Sequence, residues 1–203
     1  MLLGQSSNKP VRSESHPVFN EIRESCENEL RSKGFETEVY LIPGGIGIKI
    51  LNEDHPSVAQ IAHLPISEFD FSQVSNPILE NLGFFQLDGL KLSQRPEVQM
   101  AELAVFSLKK LHADGYSQSD YSLLADHPLE ELSLCRANLK SLEFLQGLKL
   151  KTLFLSNNPL ESIHEVPCEF LTTLDLFKSP ISSLDPLVDS PVEKLNISGT
   201  KIS

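Results

Sequence analysis

The sequence has few of the features on which disulfide frameworks and membrane anchors depend. Its three cysteines, Cys26, Cys135 and Cys168, are odd in number and far apart, so neither a disulfide framework nor a CxxC metal site can be assigned. No apolar run approaches the roughly 18 residues of a membrane-spanning helix. The start Met1-Leu2-Leu3 is too short for the apolar core of a signal peptide. These absences predict free thiols and a soluble chain.

Basic side chains are also scarce. Against 28 acidic side chains there are only 17 lysines and arginines, which gives a net charge of -11. This charge opposes binding to a nucleic-acid backbone or to an anionic lipid surface. We therefore expect no nucleic-acid partner and no membrane insertion by this chain. An acidic surface fits the cytoplasm and the extracytoplasmic space alike, so the sequence does not predict a compartment.

What the sequence does have is a 21-residue repeat. Similar six-residue segments begin at that interval: ISEFDF at 66, LDGLKL at 87, LKKLHA at 108, LEELSL at 129, LKTLFL at 150, LTTLDL at 171 and VEKLNI at 192. Seven units thus cover residues 66–203, the last one incomplete. Counted from the first residue of each unit, sites 1, 4, 6, 14 and 17 are apolar wherever they occur. A chain that is 40% hydrophobic would not produce this agreement by chance.

The spacing of the apolar sites predicts an α/β solenoid. Sites 4 and 6 alternate as in a half-buried strand, which places sites 3, 5 and 7 on the opposite face. Asn157-Asn158-Pro159 and Lys178-Ser179-Pro180 indicate a turn after the strand. The return leg is too short for more than a turn or two of helix or 3₁₀ structure. Because one unit cannot bury its leucines alone, we expect the units to stack into a parallel sheet.

The unit that begins at residue 150 resembles the leucine-rich repeat family. It meets the family pattern LxxLxLxxNxLxxLxxL at Leu150, Leu153, Leu155, Asn158, Leu160, Ile163 and Val166. The segment SPISSLDPL at 179–187 looks like the short, bacterial, internalin-like type. The resemblance implies a parallel sheet on a concave face and short turns or 3₁₀ segments on a convex face. Site 9 departs from the family's asparagine at Val74, Arg95, Tyr116, Ala137, Ser179 and Thr200.

Residues before the repeats predict a lead and a cap. Residues 1–14 are polar and aperiodic, which is typical of a disordered lead. Within residues 15–65 we expect a cap made of a helix from Pro17 to Lys33 and a hairpin of strands Thr37–Ile42 and Ile46–Leu51. The helix would place Val18, Phe19, Ile22, Cys26 and Leu30 on one side.

The last unit stops without a return leg. We expect a truncated product, part of a longer gene product, or self-association through this C-terminal coil.

No group of residues predicts catalysis, a metal site or a cofactor site. Pro43-Gly44-Gly45-Ile46-Gly47 lacks the lysine-serine pair of a phosphate-binding loop and fits a hairpin. His112 and Asp114 lack a third metal ligand. Cys135 has only His112 near it in the unit pattern and no group to orient that histidine. We therefore expect a protein that is not an enzyme.

The remaining candidate is the strand face formed by sites 3, 5 and 7. Phe154 and Phe177 fall on this face in neighbouring units, where they either stack on each other or contact a partner. The first hypothesis is a module that binds a protein or peptide through these two anchors and a polar surround of Glu131, Thr152, Thr173, Asp175 and Lys178. The second is a sensory or scaffolding part of a larger bacterial signalling protein, such as a membrane-bound serine/threonine kinase, whose repeat arrays the chain resembles.

Overall fold

The structure is a computed structural model that describes residues 17–43, 45–75, 77–79, 81–92, 100–118 and 120–202. Its helices and strands follow in the order α1 Pro17–Ser32, β1 Thr37–Ile42, β2 Gly45–Ile50, β3 Ile66–Asp70, β4 Gly89–Lys91, α2 Met100–Leu103, β5 Lys110–His112, β6 Glu131–Ser133, β7 Thr152–Phe154, β8 Thr173–Asp175 and β9 Lys194–Asn196. Short 3₁₀ segments lie at Val58–Ile61, Leu82–Phe84, Ser122–Asp126, Glu143–Leu145 and Asp185–Leu187.

The strands form one nine-stranded sheet in chain order. Strands β1 and β2 pair antiparallel as a hairpin, and every later pair is parallel. From β3 onward, each strand contains sites 3 to 5 of its unit. Paired residues occupy the same site of successive units, as Leu132, Leu153 and Leu174 do. The predicted parallel sheet with a repeat-like α/β arrangement is therefore confirmed.

The register of the repeat begins one strand earlier than the seven units predicted from the sequence. Ile48 of β2 pairs with Phe69 of β3, which lies one full repeat period further along the chain. Counted from Gly45, Ile48, Ile50, Val58 and Ile61 occupy sites 4, 6, 14 and 17, and all four are buried. Gly45 at site 1 breaks the leucine pattern, which is why the sequence assigned residues 45–65 to a cap alone.

The apolar sites form a continuous core along the sheet. Site 4 is buried from β3 to β8, and site 6 behind it is buried in the same units. The return legs add side chains from sites 14 and 17, such as Leu142, Leu145 and Ile163. In β9 the site 4 leucine, Leu195, is 41% exposed. Burial of these side chains away from water supplies the main stabilisation of the stacked units.

Helix α1 has nearly the predicted bounds, and one of its described side chains differs from the prediction. The predicted apolar positions Val18 and Phe19 lie outside the side chains that the structure describes. The helix ends at Ser32, and Gly34 adopts a φ of +86°, which stops it. Cys26 and Leu30 are buried as expected, but Ile22 is 38% exposed, because the apolar stripe of the helix is only partly covered. The predicted lead at residues 1–14 lies outside the described residues. Neither helix in the described ranges has the length and apolar character needed to cross a bilayer.

A left-handed corner follows each of the later strands. Site 8 has a positive φ in five successive units, at Gly115, Arg136, Asn157, Lys178 and Gly199. The backbone N–H groups of Asn157 and Lys178 donate to the carbonyls of Phe177 and Ser198 in the next unit, at 2.7 and 2.9 Å. Backbone bonds, which do not depend on the side chain, therefore fix where each strand ends and which way its face points.

Asn158 at site 9 makes four hydrogen bonds beneath this corner. Its Oδ1 accepts from the N–H groups of Ala137 and Leu139, at 3.0 and 3.1 Å. Its Nδ2 donates to the carbonyls of Leu134 and Leu155, both at 2.8 Å. The side chain is 2% exposed. One amide thus ties the corner of its own unit to the preceding unit.

Candidate binding face

The face opposite the core carries the side chains of sites 3, 5 and 7 of strands β3 to β9 and the residues that follow them. We call this surface the open face. Most of its described side chains are partly buried by their neighbours in the adjacent units, whereas Asp70, Ser133 and Ser156 are buried. The prediction that the face is simply exposed is therefore too coarse. Side chains that lie along a sheet at the spacing of adjacent strands shield one another from water.

The N-terminal half of the open face is a network of opposite charges, which we call the charged half. Ion pairs join adjacent or next-adjacent units: Asp70 to Lys91 at 3.1 Å and Glu68 to Lys110 at 3.8 Å. Glu131 and His112 are 2.6 Å apart and form a third ion pair when the histidine is protonated. These side chains line a shallow depression of about 270 Å³ together with Tyr40 and Leu90. Since the charges already have partners within the chain, this half offers few unsatisfied groups to a ligand.

Tyr40 explains Gly47, one of the glycines that could suggest a phosphate loop. Its ring lies across Gly47 of β2, where a Cβ would come within 2.1 Å of the tyrosine Cε2. The hydroxyl of Tyr40 donates to Oε1 of Glu68 at 2.8 Å. Burial raises the pKa of Tyr40, and the hydrogen bond to Glu68 raises it further. Gly47 therefore serves the close approach of an aromatic ring, as the hairpin interpretation allows.

Glu131 is held by His112 of the preceding strand. The hydrogen bond from the His112 Nε2 to Oε1 keeps the pKa of Glu131 below its ordinary value. Partial burial of Glu131 opposes this by raising the pKa, while the charges of His112 and Lys110 lower it. Glu131 is thus part of the charged half, whereas the sequence grouped it with the surround of the phenylalanines.

We expect His112→Ala to move the pKa of Glu131 upward, toward its ordinary value of 4.5. A carboxyl whose pKa is lowered by folding stabilises the fold above the ordinary value and loses that contribution as the pH falls through the lowered value. With both side chains about 30% exposed, the pair contributes about 1 kcal/mol or less at neutral pH. Carboxyl ¹³C NMR titration measures the change. His164→Ala on the exposed return leg is the control, and an unmoved Glu131 pKa in His112→Ala would contradict the assignment.

The C-terminal half of the open face carries two phenylalanines among neutral side chains, with one carboxylate, and ends at the exposed Lys194 of β9. We call it the aromatic half; it contains Thr152, Phe154, Thr173, Asp175 and Phe177, all partly exposed. Among the ring contacts of the described residues, Phe154 and Phe177 do not pair with each other. Phe154 meets the His112 ring edge-on, with centroids 6.3 Å apart.

Phe177 instead contacts a cation of its own chain. The Nζ of Lys178 lies 5.0 Å from the centroid of the Phe177 ring. Lys178 is at the left-handed corner, with a φ of 54°, and its side chain is exposed. The alternative in which the two phenylalanine rings stack on each other is therefore wrong, and both rings keep surface that is free of the other.

Asp175 lies between the two phenylalanines. It is in register with Phe154 of β7 on one side and with Asn196 of β9 on the other. Its Oδ1 accepts from the backbone N–H of Phe177 at 2.9 Å, a bond that bends the chain at the end of β8. Asp70 and Asn196 make the same bond at site 5 of their units, to Ser72 and Ser198. One oxygen of Asp175 therefore has a local structural role.

The thiol of Cys135, the candidate nucleophile, is not activated by its surroundings. Cys135 lies near Ser133, and its backbone N–H donates to Oδ1 of Asp114. Burial raises the pKa of the Cys135 thiol, and the charge of Asp114 raises it further. His112 is engaged with Glu131. Over the described ranges, no three His, Cys, Asp or Glu side chains are grouped so that they could hold a metal ion.

The sequence patterns did not predict that Tyr40 bonds Glu68 on the open face or that Asp70 pairs with Lys91. The first follows from β2 sharing the register of the repeat, which the isoleucine spacing could have revealed. The second follows from Asp70 and Lys91 lying in register at site 5 of β3 and β4. In comparisons with known proteins, no family model matched the chain and no curated protein matched it.

Proposed function

We propose that the chain is a solenoid of the leucine-rich repeat type that binds a protein or peptide through the aromatic half of its open face. The observation that carries the proposal is the pair Phe154, on β7, and Phe177, two residues after the end of β8, which are both partly exposed on the same face. Aromatic side chains are enriched where proteins contact each other, because they bury a large area with few rotatable bonds. The polar residues Thr152, Thr173 and Asp175 lie among them and supply hydrogen-bonding groups.

The leucine-rich repeat assignment is supported by the register and by the side chain at site 9. From β3 to β9, each strand pairs with the same sites of the next unit, without a shift. Asn158 forms the buried amide bonds beneath the corner, and Ser179 at the same site donates to the Leu155 carbonyl at 3.2 Å. A face built on such a rigid sheet loses little conformational freedom when it binds, which favours affinity.

The proposal is one of binding without chemistry. The titratable groups of the charged half are paired with each other, and the thiol of Cys135 has a raised pKa. Neither arrangement favours a nucleophile or a poised acid–base pair. Self-association through the C-terminal coil stays a prediction.

Selection of displayed random peptides against the protein tests the proposed face. We expect enriched peptides to bind the double variant Phe154→Ser/Phe177→Ser at least tenfold more weakly, since an aromatic anchor at the centre of an interface contributes about 2 kcal/mol or more. Both side chains are only partly buried, so circular dichroism and the urea midpoint should show an intact fold.

Phe84→Ser provides the matched control. Phe84 is 66% exposed and lies in the 3₁₀ segment of a return leg, away from the open face. The same chemical change there should leave peptide binding unaltered. Selection that yields no binders, or binders that ignore the double variant, would contradict the proposal.

A further inference from the structure

The chain contains its own example of how a site 5 aspartate uses its second oxygen. Asp70 accepts the Ser72 N–H with Oδ1, at 2.8 Å, and holds the Lys91 Nζ with Oδ2, at 3.1 Å. Lys91 is site 5 of the next unit, directly in register with Asp70. One oxygen therefore shapes the turn while the other binds a cation that the neighbouring strand supplies.

Asp175 repeats this arrangement without the cation. Its Oδ1 accepts the Phe177 N–H, as Asp70 does with Ser72. The residue in register with it on the next strand is Asn196, which carries no charge. Asp175 forms no ion pair with any residue in the described ranges, whereas Glu68, Asp70 and Glu131 on the same face all do. The second oxygen of Asp175 is thus left for a group from outside the chain.

The surroundings of Asp175 favour a cation more than any other ligand group. Phe154 stands in register on one side, and Phe177 follows two residues later on the same face. The faces of aromatic rings attract cations, and a guanidinium group both stacks on a ring and pairs with a carboxylate. Phe177 already holds the ammonium group of Lys178 at 5.0 Å. The net charge of -11 attracts basic partners over a longer range.

We propose that Asp175, Phe154 and Phe177 form a subsite for a basic side chain, arginine or lysine, of the bound protein or peptide. This inference rests on the proposed function and specifies the chemistry of the partner. Asp114, which also lacks an ion pair among the described residues, has no aromatic neighbour in register and already accepts bonds from Ser133 Oγ and the Cys135 N–H on one oxygen. It therefore does not make an equivalent subsite.

Two lysines of the chain carry positive charge that opposes an external cation at this subsite. Lys178 occupies one face of the Phe177 ring. Lys194 is exposed and belongs to the strand that pairs with β8, in register with Thr173. Removing either charge should therefore strengthen binding of an external cation. Lys178 then competes with the basic side chain of the partner. The sequence pattern instead predicts Lys178 among the polar residues that contact the partner.

NMR titration with acetyl-arginine amide tests the subsite directly. The amide N–H of Phe177 donates to Asp175, so its chemical shift should move as the probe binds. Acetyl-citrulline amide, which has the same shape and no charge, should leave it unmoved. Asp175→Asn keeps an oxygen that can accept the Phe177 N–H, as Asn196 does for Ser198, and should abolish the response without unfolding. Lys178→Met and Lys194→Met should each make the probe bind severalfold more tightly.

The control variant is Asp189→Asn, which removes the same charge from an exposed position on a return leg. It should leave the response to the probe unaltered. A Phe177 amide that ignores the arginine probe, that responds equally to citrulline, or that responds as before in Asp175→Asn would overturn the inference.

The peptides selected against the open face separate the two proposals. If the inference is right, these peptides contain more arginine and lysine than the starting library, and Asp175→Asn weakens their binding at least tenfold. If binding depends on Phe154 and Phe177 but not on Asp175, the subsite fails and the proposed function stands. If the arginine probe moves Phe177 while no selected peptide depends on the aromatic half, the proposed function fails and the cation subsite stands.

Discussion

Replacing Asn158 by leucine is expected to destabilise the protein by about 3 kcal/mol or more, because each buried backbone group left unpaired costs about 1–3 kcal/mol. Leucine has nearly the same volume, but it leaves the N–H groups of Ala137 and Leu139 and the carbonyl of Leu134 without their partner. The Leu155 carbonyl loses less, because it also accepts from Ser179. A urea titration measures the loss.

Hydrogen exchange gives this prediction a local readout. The amides of Ala137 and Leu139 should lose protection first in Asn158→Leu, because their acceptor has gone. Asn158→Asp should also destabilise, since it places a second acceptor oxygen against the Leu134 and Leu155 carbonyls. Glu161→Ala, at an exposed position three residues later, should change stability by about 0.5 kcal/mol or less. Equal exchange of the two amides in wild type and Asn158→Leu would contradict the assigned role.

Truncating Leu153 to alanine is expected to cost about 2–5 kcal/mol. Its side chain is fully buried in β7, at the centre of the row that includes Leu132 and Leu174. The neighbouring strands are fixed by their backbone bonds and cannot close the cavity that alanine leaves. The urea midpoint should fall accordingly, with the far-ultraviolet spectrum of the folded state unchanged.

Leu195 supplies the matched comparison within the same chain. It occupies the same site 4 and pairs with Leu174, but it is 41% exposed. Leu195→Ala should therefore cost about 1 kcal/mol or less, because much of the side chain already contacts water. Equal losses for Leu153→Ala and Leu195→Ala would mean that burial of the site 4 residues does not determine how much they stabilise the fold.

The leucine spacing was enough to predict the strands, their parallel order and their register. Leu132, Leu153 and Leu174 could be placed side by side because burial of one face requires the same register in every unit. The same reasoning predicted β2 as a hairpin strand but missed its parallel place in the repeat, since a glycine at site 1 and isoleucines at later sites do not look like a leucine pattern. It also placed Ile22 in the apolar side of α1, although the neighbouring strands do not cover the whole stripe.

The open face was predicted less well, because its charge and exposure depend on which side chains contact each other. Phe154 and Phe177 could be assigned to it from their site numbers. That Phe154 contacts His112 and Phe177 contacts Lys178 depends on side-chain directions, which the period does not determine. The difference between Asp70, which is paired, and Asp175, which is not, becomes visible only when each residue is compared with its neighbour in register.

The bonds at the left-handed corners make the units exchangeable. The N–H at site 8 and the carbonyl at site 7 belong to the backbone, so the link between Asn157 and Phe177 would form equally well for other side chains at those positions. A duplicated unit would therefore fit between two existing units and widen the binding surface by one strand spacing, about 4.8 Å. A protein with an array lengthened in this way would bind new partners through the added strand while it kept the existing contacts.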